Sequence, residues 1–176
     1  MNRIVFFDTD ILSSFLHTHH ELILIKLYAN QMSVARQVYQ EIIKVPLLKG
    51  KMEYLLLHGY IDVIDMDIGS EEEKLYLEFI NGIWNPSLPM IGKGEAASIA
   101  LSHVRKGILA SSNYKDVQPY VSQLGLKHLG TMDIIELAFH QGYLTMEACD
   151  LLVGRMIKLK RRLPFETFSA YLSSKI

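Results

Sequence analysis

Short unbroken apolar runs and segments with apolar residues at every third or fourth position take turns along this chain. The first run, Ile4-Val5-Phe6-Phe7, combines β-branched and aromatic residues and predicts a strand buried on both faces that ends at Asp8. Ile11, Leu12, Phe15 and Leu16 follow at helical spacing, and Glu21 to Ala29 carries a second helical pattern. Met32-Ser33-Val34 predicts a second strand. Arg36 to Val45 places Val38, Ile42 and Val45 on one stripe up to Pro46, Leu47 to Leu57 predicts a short helix, and Tyr60 to Ile64 a third strand.

Beyond Asp65 the pattern loosens. A helix is expected over Ser70 to Ile80, where Ser70 and Glu73 have capping-box spacing. The run Glu71 to Glu73 then reads as a favourable first turn in preference to an acidic metal cluster. Turns follow at Asn81-Gly82 and Asn85-Pro86. Gly94 to Arg105 is a helix of small residues ended by Gly107, and Ile108-Leu109-Ala110 has the look of a central parallel strand. After a Ser111-Ser112-Asn113 loop, a helix from Lys115 or Asp116 closes at Gly125, Lys127 to Leu129 forms an edge strand, and Thr131 to Gln141 is helical. Thr145 caps the last helix, whose expected apolar stripe is Ala148, Leu151, Leu152, Met156 and Leu159, before Pro164 breaks it ahead of a short tail. Strands alternating with helices predict an α/β fold with a mostly parallel sheet, in which active groups gather at the carboxyl ends of strands.

Composition narrows the class. At 176 residues, 49% hydrophobic and 21% charged, the chain can bury a core without disulfide or metal staples. One domain over residues 1–176 is expected, with a helical insertion near 65–90 and a helical tail near 145–176. Ordinary Gly and Pro usage excludes collagen-like and low-complexity classes. No apolar run approaches the roughly 20 residues that span a bilayer, and Asp8 and Asp10 interrupt any signal-peptide core, so a cytoplasmic protein is expected. The single cysteine, Cys149, excludes an internal disulfide and reads as a buried small apolar residue. A net charge of -1 gives no strong overall field for nucleic acid, leaving a local patch or a metal to make such contacts.

Candidate chemistry lies in acids placed after strands or at helix starts. Asp8 and Asp10 follow the first strand, and each alone reads equally as a helix cap. Glu41 alone is a solvated helix residue. Glu95, in Gly92-Lys93-Gly94-Glu95-Ala96-Ala97, alone is a first-turn glutamate at a helix dipole. Asn113 and Asp116 follow the Ile108 to Ala110 strand and again read as caps. All of these positions converge on one edge of a parallel sheet, where a buried carboxylate must be paired, hydrogen-bonded or cation-bound.

That constellation resembles the PIN-domain family of metal-dependent nucleases. The matching pieces are IVFFDTDIL, the glutamate of VYQEI, GKGEAASIAL, ILASSNYKD and LGLKHLGTMDIIELAFHQGYLT, spanning Arg3 to about Leu159. Each is short, but their order and spacing together are fairly specific. The resemblance implies a three-layer α/β/α sandwich. It places Asp8, Glu41 and Glu95 at three of the family's metal-binding acids and Ser111 at a hydroxyl position. The family's fourth acid follows a T-x-D pattern; here Asn113 stands in its place, with Asp116 one turn on. Either Asp116 supplies that charge or a second metal is weakly held. Asp10 stands where the family more often has Asn or Ser.

The implied activity is Mg²⁺- or Mn²⁺-dependent hydrolysis of RNA phosphodiesters, with Asp8, Glu41, Glu95 and Asp116 catalytic and Asp8, Glu95, Asn113 and Asp116 holding metal. Ser111, Lys93 and Lys115 are candidates for binding substrate. The cluster Arg155, Lys158, Lys160, Arg161 and Arg162 could track phosphates, although favouring a helix C-terminus is its simpler reading. His17, His19 and His20 match no common ligand motif and read as a solvated loop. The family includes toxins of toxin–antitoxin pairs, which implies an antitoxin partner and a homodimer. Two other readings compete. One is a PIN-fold binding or interaction domain whose chemistry is lost through Asn113. The other is a haloacid-dehalogenase-like phosphatase, suggested by the DTD after a strand, for which Ser111-Ser112-Asn113 supplies no downstream acidic pair.

Overall fold

The apolar runs form strands, and the amphipathic segments between them form helices. A computed structural model of the protein describes residues 3–175. In chain order these run β1 (Val5–Phe7), α1 (Thr9–His17), α2 (Glu21–Tyr28), β2 (Met32–Ala35), α3 (Arg36–Ile42), α4 (Pro46–Leu57) and β3 (Ile61–Ile64). Then come α5 (Glu71–Ile80), α6 (Lys93–Val104), β4 (Ile108–Ala110), α7 (Tyr114–Leu124), β5 (Lys127–Leu129), α8 (Thr131–His140), α9 (Met146–Lys158) and α10 (Phe168–Ser173). The strands pair in the order β3-β2-β1-β4-β5. Every pairing is parallel, with Val5 beside Met32 on one side and Ile108 on the other. No helix among the described residues is long and apolar enough to cross a membrane.

Parallel neighbours need a crossover, and right-handed crossovers decide which face each helix covers. The steps β1 to β2 to β3 run one way across the sheet, so α1 to α4 lie on one face. The return from β3 to β4 and on to β5 runs the other way and puts α5, α6 and α7 on the opposite face. Two apolar clusters match this division: one gathers α1 to α4 with α8 to α10, the other Phe79, Ile99, Leu109, Val117 and Tyr120. The result is a three-layer α/β/α sandwich around an all-parallel sheet. Residues 65–90 pack into the second cluster through Phe79 and Trp84, whose rings meet edge-on at 5.2 Å.

Three local expectations change. Helix α6 ends before Gly107, with Lys106 taking the left-handed turn at φ 53°. Gly107 serves close approach instead, because a Cβ there would meet the Ile4 carbonyl oxygen at 2.8 Å and the Phe6 ring at 2.9 Å. Helix α9 turns Cys149, Leu152, Val153 and Met156 inward and leaves Leu151 and Leu159 exposed, a rotated stripe set by packing on α8 and α10. The tail after Pro164 forms α10, capped by Thr167 and anchored by fully buried Phe168. Six residues carry too little local signal to predict such a helix; tertiary contact makes it.

Candidate functional site

The chain reverses direction across the sheet between β1 and β4, and a crevice opens outside the carboxyl ends of strands at such a switch point. Asp8 follows β1 and Ser111-Ser112-Asn113 follows β4. The two strand ends are tied by the Asp8 backbone N–H donating to the Ala110 carbonyl at 2.9 Å. A cleft of about 300 Å³ forms there, lined by Asp8, Asp10, Glu41, Glu95 and Asn113, with Thr9 and the backbone of Gly92 and Gly94. Positions far apart in sequence meet because β1 and α3 end, and α6 and the loop after β4 begin, at this edge.

Most of these acids divide their oxygens between local structure and the cleft. Asp8 Oδ1 accepts the Ile11 N–H at 2.8 Å and caps α1. Its Oδ2 is buried with no hydrogen-bond partner among the described residues. Glu95 Oε2 accepts the Gly92 N–H at 3.1 Å, closing the first turn of α6, while Oε1 accepts the Asn113 amide at 2.7 Å. Glu41 Oε2 accepts from the Thr9 hydroxyl. Gly94 makes room for that pair, since a Cβ there would lie 2.8 Å from Glu41 Oε2 and 3.0 Å from Thr9 Oγ1. The capping roles are therefore real, and they aim a second oxygen at the cleft.

Asn113 is the hub. Its amide donates one hydrogen to Glu95 and the other to Asp116 Oδ2, also at 2.7 Å. It joins two carboxylates that would otherwise repel each other. Ser111 is buried, and its hydroxyl accepts the Asn113 backbone N–H at 3.2 Å, which fixes the loop. Asp116 lies across Asn113 from the cleft, in an adjoining depression with Asp10, Ser112, Lys160, Arg161 and Arg162.

Burial dominates the electrostatics. It pushes the Asp8 carboxyl up to about 7, with the Asp10 and Glu95 charges adding to the rise and the nearby Ser111 hydroxyl and Ile11 amide opposing it. A carboxylate with a bare buried oxygen beside other acids is a natural ligand for a hard cation, and all the donors here are oxygens. Among the described residues no three acidic, histidine or cysteine side chains are grouped as a ready metal site. The set fits Mg²⁺, which keeps several waters and takes one or two carboxylates, better than a fully enclosed ion.

The basic candidates divide. Lys115 lines a cavity next to the cleft, whereas Lys93 is exposed on the first turn of α6 and outside the cleft lining. Arg155 and Lys158 sit in the last turn of α9, as a helix C-terminus favours. Lys160 to Arg162 instead fold back over the acids, with Arg161 donating to Asp10 Oδ1 at 3.2 Å and to Ser13 Oγ at 2.9 Å. Among the histidines, His17 Nδ1 lies 3.0 Å from the Ser13 carbonyl and His20 Nδ1 2.6 Å from that of Thr18, so both belong to helix-end structure. Cys149 is buried, and that burial pushes its thiol up to about 11. Thr9 and His128 were not legible as site residues. Thr9 had a signal in its place between two acids, while a lone histidine on an edge strand had none.

A family model, DUF3368: PIN domain, matches residues 4–175. No curated protein matches the chain.

Proposed function

The chain belongs to the PIN-domain family, and from that premise we propose that it is a metal-dependent endoribonuclease that hydrolyses RNA phosphodiester bonds in the cytoplasm. PIN domains are commonly nucleases and generally bind divalent metals. The same membership sets the phosphatase reading aside. The observation that carries the proposal is Asp8 Oδ2, a buried carboxylate oxygen without a partner, facing a cleft it shares with Glu41, Glu95 and Asn113.

Asp8, Glu95 and Asn113, which line the cleft, would hold Mg²⁺ or Mn²⁺, with Asp116 adding negative charge from across Asn113; when bound the ion supplies an acidified water and offsets charge on the phosphoryl oxygens. Glu41, steadied by Thr9, would orient a water in the cleft. Glu95 stays aimed through its bond to the Gly92 amide. Ser111 keeps the loop after β4 in place, and Lys115 and Lys93 offer positive charge to the RNA backbone. The test is cleavage of single-stranded and structured RNAs with Mn²⁺, Mg²⁺ or EDTA. Cleavage that EDTA stops and that both Asp8→Asn and Glu95→Gln abolish is expected; unchanged activity in either variant overturns the reading.

The finer roles extend the proposal. As the toxin of a toxin–antitoxin pair, the protein should arrest growth when induced alone, lose that effect with Asp8→Asn, and be neutralised by a separate protein. A homodimer should show twice the chain mass in light scattering. One observation favours the competing reading of an impaired, binding-only domain: the Asn113 amide already bridges Glu95 and Asp116 as a neutral link. That reading predicts RNA binding without cleavage under any metal.

A further inference from the structure

Beside the acidic cleft, between the α7 and α8 starts and the segment after α9, lies a cavity of about 550 Å³. Its volume suits a nucleotide-sized ligand, and its lining mixes apolar surface with a few polar groups, the composition expected of small-molecule sites. Tyr114 stands at its mouth, 58% exposed, with its ring 5.7 Å from that of His128. Nothing in the core uses the Tyr114 ring. His128 Nε2–H donates to the Ser111 carbonyl at 3.1 Å. Burial lowers its pKa, so it presents a neutral aromatic face rather than a charge.

Two hydroxyls, Ser112 and Thr131, meet at 3.0 Å in the lining, and Lys115 and Arg162 supply its cations. The cavity is also joined to the candidate site. Ser112, Asn113, Asp116 and Arg162 line both it and the depression that holds Lys160 and Arg161. Unstacked RNA bases are recognised by stacking on aromatic side chains and by hydrogen bonds to their edges, with basic groups following the backbone.

We propose that this cavity binds an unstacked nucleobase of single-stranded RNA, stacked on Tyr114, with Lys115 and Arg162 on the adjoining phosphates. The inference rests on the nuclease reading for the class of substrate. It does not need cleavage, so the two fail separately.

The test is fluorescence anisotropy of a dye-labelled single-stranded RNA of about eight nucleotides, read in EDTA on Asp8→Asn protein. Tyr114→Ala in that background is expected to weaken binding by about five- to a hundredfold, and Tyr114→Phe to restore it. Lys49→Ala, which removes a surface positive charge outside the cavity lining, should match the parent. Tyr114 is exposed, so melting temperature should be unchanged and the loss cannot be put down to unfolding. Equal binding by Tyr114→Ala overturns the proposal, as does a parent that binds no RNA. It also falls if Tyr114→Ala leaves RNA binding intact and weakens capture of a co-expressed protein, which would make the cavity a docking site. Metal-dependent cleavage by the native protein together with an unaffected Tyr114→Ala would leave the nuclease reading standing without the base pocket. The reverse pattern would leave the pocket standing alone.

Discussion

At Asp8 two demands fall on one carboxylate, a helix cap and a buried oxygen without a hydrogen-bond partner. Its carboxyl moves from 3.8 to about 7, chiefly by burial, so the folded protein holds the proton more tightly than the unfolded chain between those values. Stability supplied by this group is therefore lost as pH rises through that window and stays lost above it. Asp8→Asn keeps the cap to Ile11 and cannot ionise. In EDTA it should be more stable than the native chain by ~3 kcal/mol near pH 8, with the gain gone near pH 4, in urea titrations at both. Mn²⁺ should narrow the difference at high pH by stabilising only the native carboxylate. Asn113 poses the complementary test. Asn113→Asp removes the donor shared by Glu95 and Asp116 and sets a third negative charge between them. Thermal melts in EDTA should show a loss of ~1 to 3 kcal/mol, recovered by Mn²⁺; a melt unchanged in EDTA would mean the bridge contributes nothing.

Two glycines show how elements are brought together at different tolerance. At Gly107 the obstacle to a Cβ is the Ile4 backbone and the Phe6 ring, at the amino ends of the neighbouring strands β1 and β4. At Gly94 it is the end of the Glu41 side chain and the Thr9 hydroxyl, which can swing away. Gly107→Ala should therefore cost ~2 to 3 kcal/mol of stability, and Gly94→Ala less than half of that. Activity should rank them the other way, because Gly94→Ala pushes Glu41 from the cleft while Gly107→Ala leaves the site in place. Denaturant midpoints beside RNA cleavage rates would show both orders. The same elements also show where sequence patterning ends. The strands and most helices were legible because period and turn residues are local properties. The phase of α9 was not, since Val153 rather than Leu151 faces inward only because α8 and Phe168 are there to receive it, and within the helical tail expected over 145–176 nothing local marked a separate α10 after Pro164.

For the molecule as a whole, we propose that both faces of the sheet unfold as one unit. The only tryptophan, Trp84, packs against Phe79 and Tyr120 on the face of α5 to α7. Most helix lies with the other cluster, joined to it through α6 and β4, whose Leu109 and Ala110 point into different clusters. Trp84 fluorescence and far-ultraviolet circular dichroism should then give the same urea midpoint. A separate, earlier fluorescence transition would mark residues 65–90 as an independently unfolding insertion.

By itself the sequence determined the alternation of strand and helix, and with it a parallel sheet whose strand ends carry the acids. It also determined the residue types, Asp8, Glu41, Glu95 and Asn113, that the family resemblance brings into one site. What only the tertiary structure decided is how these groups stand to one another. A local pattern gives Asp8 as a cap but cannot show that its second oxygen is left bare, because that depends on what other elements bring to the cleft. Nor can spacing show that Asn113 links Glu95 to Asp116, that Arg161 reaches back to Asp10, or that Tyr114 opens onto a cavity. Burial, charge crowding and shape arise from contacts between segments far apart in the chain, so they exist only once the chain has folded.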